Sequence, residues 1–158
     1  MSDFMERPPK VAVIIGSKSD KQVMDAAGAV LEEFGIKFEQ FVSSAHRMPN
    51  KTRELALALE KNGFSVIIAG AGKAAHLPGV LASYTVLPVI GVPIKTDDLQ
   101  GLDSLLSIVQ MPAGVPVATV AINGAKNAAL LAVQILGLKF DGVMTKYRIY
   151  KSGLESDA

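Results

Sequence analysis

The residues best suited to chemistry lie in one short segment, SAHRMP at positions 44–49. Within it, His46 offers an imidazole, a group that titrates near neutral pH, and Arg47 offers a planar cation whose fork matches a phosphate or a carboxylate. Ser44 adds a hydroxyl that can donate or accept a hydrogen bond. A proton-transfer group beside a fixed cation indicates a local site for an anionic substrate.

Two further segments carry glycines and polar side chains of the same kind. Residues 16–20 read GSKSD, and residues 70–79 read GAGKAAHLPG, which contains His76, the second of two histidines. Glycine and hydroxyl groups before a helix can cradle a phosphate. Simpler roles stay open for each segment, because Ser19 or Asp20 can cap a helix without a ligand. Taken alone, His76 could be a partly buried ring with a satisfied hydrogen bond, and His46 could be a capping or solvent-exposed residue.

The hydrophobic pattern predicts the elements that must position these segments. Short apolar runs rich in β-branched residues predict five strands at 11–15, 38–42, 66–69, 89–92 and 117–121. Helical periodicity predicts helices at 20–34, 51–61, 77–85, 101–109, 125–136 and 140–151. The alternation predicts an α/β fold: a single-domain, three-layer, doubly wound (flavodoxin-like) parallel sheet of about five strands with a C-terminal helical extension. Ligands of such sheets bind at the carboxyl ends of the strands, where both histidines are expected.

Composition limits the possible partners and cofactors. The chain has 158 residues and a net charge of +1, so it presents no broad electrostatic surface for nucleic acid or an anionic membrane. No apolar run approaches the roughly 20 residues needed to span a membrane, and residues 1–10 lack the form of a signal peptide. The absence of cysteine fits a cytoplasmic protein. With two histidines and no nearby acidic cluster, we expect no metal, and the glycine loops match no nucleotide-cofactor pattern.

Together, these segments resemble the N5-carboxyaminoimidazole ribonucleotide mutases of bacterial purine biosynthesis. The resemblance also rests on GVP at 91–93 and GLDSLLSIVQMP at 101–112, and it covers roughly residues 11–138. It implies an isomerase that moves a carboxylate from the exocyclic nitrogen of a ribonucleotide to ring carbon four. In that reaction carbon dioxide is a trapped intermediate, and no cofactor is used. It also implies a homo-octamer of single catalytic domains, 1–158, with a flexible N-terminus at 1–9. The C-terminal helix and tail, about 139–158, would pack on a neighbouring subunit.

The resemblance assigns a role to each site residue. His46 would shuttle the proton, first as general acid in decarboxylation and then as general base at ring carbon four. Arg47 would hold the 5'-phosphate together with Ser19 and Ser44, Asp20 would accept from the ribose hydroxyls, and Ser17 would add a hydrogen bond. The remaining substrate-binding residues that the resemblance implies are Ala45, Gly72, Ala74, His76 and Leu77.

The chain departs from the family pattern at Lys73, where glycine is usual, and at Met48, where threonine is usual. The side chain of Lys73 can point to solvent, which we favour, or bind the migrating carboxylate; alternatively, the position can require a positive φ angle that lysine adopts reluctantly. The turn after Ile122 is also shorter than is common. Two other functions stay open: a carboxylase that uses free carbon dioxide, and a non-catalytic nucleotide-binding module of the same fold.

Overall fold

Five parallel strands form the centre of the structure, a computed structural model that describes residues 8–156. The strands are β1 Lys10–Ile15, β2 Lys37–Val42, β3 Val66–Gly72, β4 Val89–Ile94 and β5 Ala118–Thr119. Their order in the sheet is β2-β1-β3-β4-β5. This topology confirms the predicted doubly wound α/β fold. The predicted flexible N-terminus falls mainly on residues 1–7, which lie outside the described residues.

Residues 8–156 contain six α-helices, of which five lie on the faces of the sheet, and the prediction of each helix is confirmed with ends that differ by at most five residues. A 3₁₀ turn at Lys18–Asp20 precedes the first; the helices are α1 Lys21–Glu33, α2 Pro49–Leu59, α3 Leu77–Tyr84, α4 Leu102–Val109, α5 Ala125–Gly137 and α6 Asp141–Ser156. Helices α1 and α5 pack on one face, and α2, α3 and α4 on the other. Helix α2 begins two residues earlier than predicted, because proline suits the first turn of a helix.

The side chains of β1 show why residues 11–15 are all apolar. Val11, Val13 and Ile15 join the core beneath α1 and α5, while Ala12 and Ile14 join the core beneath α2 and α3. All five are at most 1% exposed. A central strand of a parallel sheet is buried on both faces, so a continuous apolar run replaces the alternation of a half-exposed strand.

Strands β1, β2 and β4 match prediction to within two residues at each end, whereas β3 and β5 differ most in length. Strand β3 continues through Gly72 instead of ending at residue 69, so part of the glycine-rich segment belongs to the sheet. A Cβ on Gly70 would lie 2.5 Å from Sδ of Met24. A side chain therefore does not fit at this position of the buried strand, and glycine occupies it. Strand β5 has only two residues. It lies at the sheet edge after Pro116, and the chain then turns away at Asn123, whose φ is +58°.

The C-terminal helix α6 packs on its own chain. The rings of Tyr147 and Tyr150 lie 6.3 and 5.7 Å from the ring of Phe34, and Nζ of Lys146 donates to the carbonyl oxygen of Phe34 at 2.9 Å. The opposite side of α6 leaves Ile149 exposed. Packing of this helix on a neighbouring subunit therefore stays a prediction that concerns its outer side.

Candidate active site

One cavity of about 470 Å³ lies at the carboxyl ends of β1, β2 and β3. The structure brings all eleven predicted site residues to its wall: Ser17, Ser19, Asp20, Ser44, Ala45, His46, Arg47, Gly72, Ala74, His76 and Leu77. Four further residues complete the lining: Gly16, Ala71, Lys73 and Thr96. The rule that placed ligands at strand ends therefore located the cavity, while the role of each residue stays a prediction.

The loop that carries His46 is fixed at both ends by buried hydroxyl groups. The backbone N–H of Ser43 donates to Ile15 at 2.9 Å, which ties the end of β2 to β1. The hydroxyl of Thr52 donates to the carbonyl oxygen of Met48 at 3.0 Å and lies 2.8 Å from the hydroxyl of Ser43. Because Thr52 has one hydroxyl hydrogen, Ser43 is the donor to Thr52. Met48, a departure from the family pattern, contributes its backbone to this network.

His46 and His76 contact each other directly across the cavity. Nε2 of His46 lies 2.7 Å from Nδ1 of His76, and the two rings are nearly perpendicular. A hydrogen bond of this kind holds one proton between two nitrogens, so one ring donates while the other accepts. Both side chains are exposed in the single chain. The pair can therefore pass a proton between the two rings at the cavity surface.

Ser17 and Asp20 form a capping box at the 3₁₀ turn after β1. The hydroxyl of Ser17 accepts from the backbone N–H of Ser19 at 3.4 Å, and Oδ2 of Asp20 accepts from the backbone N–H of Ser17 at 2.9 Å. Of the two residues that the sequence left open as caps, Asp20 takes part in this box, but the N-cap itself is Ser17 and not Ser19. Burial raises the pKa of Asp20, although the hydrogen bond from the backbone N–H of Ser17 and the charge of Arg47 oppose this change.

The raised pKa of Asp20 predicts a pH-dependent stability difference. A carboxyl that ionises less readily when folded contributes most to stability below its usual pKa of 3.8, and this contribution is lost as pH rises through the raised value. Asp20→Asn keeps an acceptor for Ser17 but cannot ionise. We expect the melting temperature of the unsubstituted protein, relative to that of the variant, to fall as pH increases from about 3 to 7. A difference that stays constant or rises in thermal denaturation would contradict this expectation.

Arg47 and the serines form a polar rim suited to an anion. The hydroxyl of Ser44 accepts from the backbone N–H of Arg47 at 3.3 Å and from its Nε at 3.4 Å. The hydroxyl of Ser19 donates to that of Ser17 at 3.0 Å. Only Nε of the Arg47 guanidinium contacts Ser44. The N–H groups of its two terminal nitrogens do not take part in this contact, and they can donate to phosphate oxygens.

Lys73 combines two of the three alternatives that the sequence left open. Its φ is +54°, in the left-handed region, and its side chain is 68% exposed and pairs with Asp98. The hydrogen bond with Asp98 raises the pKa of Lys73 and lowers the pKa of Asp98. The predicted direction toward solvent is therefore observed. The ion pair links the loop after β3 to the loop after β4.

Sequence reasoning missed Thr96, which reaches the cavity from the loop after β4. The strand-end rule that identified the first three loops applies equally to β4 and could have indicated it.

Within residues 8–156, no group of three or more histidine, cysteine, aspartate or glutamate residues lies close enough to hold a metal ion. In the same part of the chain, none of the helices is long and apolar enough to cross a membrane.

The family model for AIR carboxylase matches residues 10–157. The chain belongs to the AIR carboxylase family. A family relative from Pyrococcus horikoshii, named N5-carboxyaminoimidazole ribonucleotide mutase, is 59% identical over 147 residues, which are 93% of this chain and 83% of that protein. The phosphoribosylaminoimidazole carboxylase of Saccharomyces cerevisiae is 58% identical over 138 residues, which are 87% of this chain but 24% of the yeast protein.

The fold of the family is also found in a solved structure. The crystal structure of Treponema denticola PurE matches with a TM-score of 0.84 at 26% sequence identity, covering 94% of this chain and 93% of that one. The five-stranded parallel sheet with helices on both faces is therefore an architecture that this chain has in common with a PurE protein.

Proposed function

We propose that this chain is an N5-carboxyaminoimidazole ribonucleotide mutase of purine (IMP) biosynthesis. It is an isomerase that converts N5-carboxyaminoimidazole ribonucleotide to 4-carboxyaminoimidazole ribonucleotide, and residues 1–158 form one catalytic domain. The observation that carries the proposal is the placement of the His46–His76 contact in a cavity whose rim includes Arg47 and Ser44. Proton transfer and anion binding, the two demands of this reaction, meet there.

The ribonucleotide binds by its phosphate and its ribose. Arg47, Ser44 and Ser19 hold the 5'-phosphate with charge-assisted and hydroxyl hydrogen bonds. Asp20 receives the backbone N–H of Ser17 on Oδ2, so Oδ1 can accept from a ribose hydroxyl. Ser17 adds a hydrogen bond from the same turn. Ala45, Gly72, Ala74 and Leu77 shape the wall around the imidazole ring.

His46 carries the proton through both halves of the reaction. It gives a proton to the exocyclic nitrogen as the carbamate C–N bond breaks, which yields aminoimidazole ribonucleotide and carbon dioxide. Ring carbon four then bonds to the carbon dioxide, and His46 takes up the proton that this carbon loses. The protons balance without another reactant. Because Nε2 of His46 contacts His76, we assign Nδ1 to the substrate and give His76 the role of orienting the ring.

Carbon dioxide must stay in the cavity between the two half-reactions. The small residues Ala71 and Ala74 leave room for it, but His46 and His76 are exposed in the single chain, so retention requires a cover. We propose that the cover is a neighbouring subunit of a cytoplasmic homo-octamer. The exposed apolar side chains of Leu102, Leu106 and the α4 surface beside them, together with the outer side of α6, offer contact surfaces. A stable monomer in sedimentation velocity would contradict this assembly.

Direct carboxylation of aminoimidazole ribonucleotide is the second candidate function. It is favoured by the identity to the yeast carboxylase, which at 58% nearly equals the identity to the mutase of P. horikoshii. The difference lies in length, because this chain spans about a quarter of the yeast protein. A non-catalytic nucleotide-binding module would explain the fold and the turn after β1, but it gives no role to the His46–His76 contact.

Substrate comparison tests the choice between the two enzymes. Purified protein is incubated either with N5-carboxyaminoimidazole ribonucleotide or with aminoimidazole ribonucleotide plus bicarbonate, and the absorbance of the imidazole carboxylate is followed. We expect rapid formation of product from the first substrate at low bicarbonate. Rapid product formation from the second alone would establish the carboxylase instead, and turnover of neither substrate would favour the non-catalytic module.

A further inference from the structure

Thr96 carries a buried hydroxyl that the protein leaves without a hydrogen bond. Among the described residues, its Oγ1 is the side-chain polar atom that is buried with neither a donor nor an acceptor within reach. Other buried hydroxyls near the cavity are satisfied; Ser104, for example, donates to the carbonyl oxygens of Ile94 and Gly101. An unmade hydrogen bond at a buried hydroxyl costs free energy of folding, so this one requires a reason.

The position of Thr96 provides that reason. The residue lines the cavity, and its methyl group faces β3, where a Cβ on Gly72 would lie 2.9 Å from Cγ2 of Thr96. Thr96 as a whole is partly exposed, while its hydroxyl is buried. A rotation of about 120° about the Cα–Cβ bond moves the hydroxyl to the place of the methyl and the methyl to the place of Hβ, and such side-chain rotations are fast compared with catalysis. The hydroxyl is thus available to a ligand at little cost, because it gives up no existing partner.

The strand order places Thr96 at the end of the cavity opposite the phosphate rim. Ser44 and Arg47 follow β2, whereas Thr96 follows β4, and β1 and β3 lie between these strands. Three strand spacings separate β2 from β4, roughly 14 Å. A ribonucleotide whose phosphate lies beside Arg47 directs its base, and the carboxylate on that base, toward β3 and β4.

We propose that Thr96 is a substrate-binding residue whose hydroxyl donates a hydrogen bond to the carboxylate of the carboxylated imidazole ribonucleotide. This inference rests on the proposed function and adds to it a group that distinguishes the carboxylated ligand from the uncarboxylated one. Hydroxyl donation to a carboxylate is a charge-assisted hydrogen bond, and these are stronger than neutral ones. The contact forms with the ligand only, so its loss affects binding and not folding.

The test compares Thr96→Val with Thr96→Ser in the full-length protein. Calorimetry measures the Kd for 4-carboxyaminoimidazole ribonucleotide and for aminoimidazole ribonucleotide, and thermal denaturation measures stability. We expect Thr96→Val to weaken binding of the carboxylated ligand about tenfold and to change binding of the other by less than about twofold. Its melting temperature should equal or exceed that of the unsubstituted protein, because a methyl replaces a hydroxyl that lacks a partner. Thr96→Ser keeps the hydroxyl and should bind the carboxylated ligand as the unsubstituted protein does.

A matched control is Thr119→Val, which makes the same change on β5 outside the cavity, where the hydroxyl donates to Val117 at 3.4 Å. This variant should leave both Kd values unchanged. Equal weakening of both ligands by Thr96→Val, no weakening, or a clear fall in its melting temperature would each overturn the inference about Thr96. If the unsubstituted protein binds neither ribonucleotide, the proposed function is overturned as well, so the two failures are distinguishable.

Discussion

Replacing His46 with asparagine is expected to lower kcat by about a thousandfold while KM changes by less than about threefold. Proton transfer by a positioned side chain contributes roughly 10²–10⁴ to rate, and the amide of asparagine cannot supply it. Asparagine is smaller than histidine, and its amide does not reach the position of Nε2, so the variant also loses the 2.7 Å contact with Nδ1 of His76. Steady-state kinetics with N5-carboxyaminoimidazole ribonucleotide, together with the melting temperature of the variant, checks this expectation.

The matched variant is His76→Asn. Its amide oxygen can still accept from His46, so the variant removes the second ring but retains a partner for the first. We expect a loss in kcat of about tenfold, which is smaller than the loss at His46 because orientation alone is weakened. A His46→Asn protein that keeps more than a tenth of the original kcat would show that another group moves the proton. Equal losses of kcat in the two variants would show that the two histidines act as one catalytic unit.

Replacing Arg47 with glutamine is expected to raise KM between about tenfold and a hundredfold and to leave kcat within about threefold. The guanidinium supplies charge-assisted hydrogen bonds of about 1.5–3 kcal/mol each, and every 1.4 kcal/mol corresponds to a factor of ten in affinity. Glutamine has an amide nitrogen at the position of the arginine Nε, so the 3.4 Å contact with the Ser44 hydroxyl can be kept while the two terminal guanidinium nitrogens are lost. Steady-state kinetics measures both constants.

The ligand provides the sharpest control for Arg47. With the riboside that lacks the 5'-phosphate, the unsubstituted protein and Arg47→Gln should bind equally weakly, because the group that the arginine recognises is missing. Arg53→Gln is the protein control; this arginine lies on α2, outside the cavity, over the ring of Tyr84. If Arg47→Gln binds the riboside more weakly than the unsubstituted protein does, the arginine stabilises the loop and does not bind the phosphate.

The sequence predicted the order of the elements because each strand and helix has its own local pattern. Continuous apolar runs indicated buried parallel strands, and the sheet edge of the site followed from their order. Patterns could not give the short length of β5, since the number of residues that pair at a sheet edge depends on the neighbouring strand. They also could not show that Gly70 lies inside β3. Glycine is required there because the side chain of Met24, which is distant in sequence, packs against its Cα.

The same limit applies to the site. Residue types indicated that His46 and His76 share an edge, but the 2.7 Å contact depends on loop conformations fixed by Ser43 and Thr52. Sequence reasoning treated a solvent-directed side chain and a positive φ angle at Lys73 as alternatives, but the two occur together. The strand-end rule could have indicated the loop that carries Thr96, but the unmade hydrogen bond of its hydroxyl is visible only when its neighbours are known.

The separation of β2 and β3 in the sheet has a consequence for folding. His46 and His76 are 30 residues apart and follow strands that do not pair with each other, since β1 lies between them. The two rings can meet only after β1 has paired with both neighbours, so no partly folded chain that lacks this three-strand unit can be active. Recovery of turnover during refolding should therefore report the completion of the centre of the sheet, whereas local opening of the edge strand β5 can occur without separating the two rings.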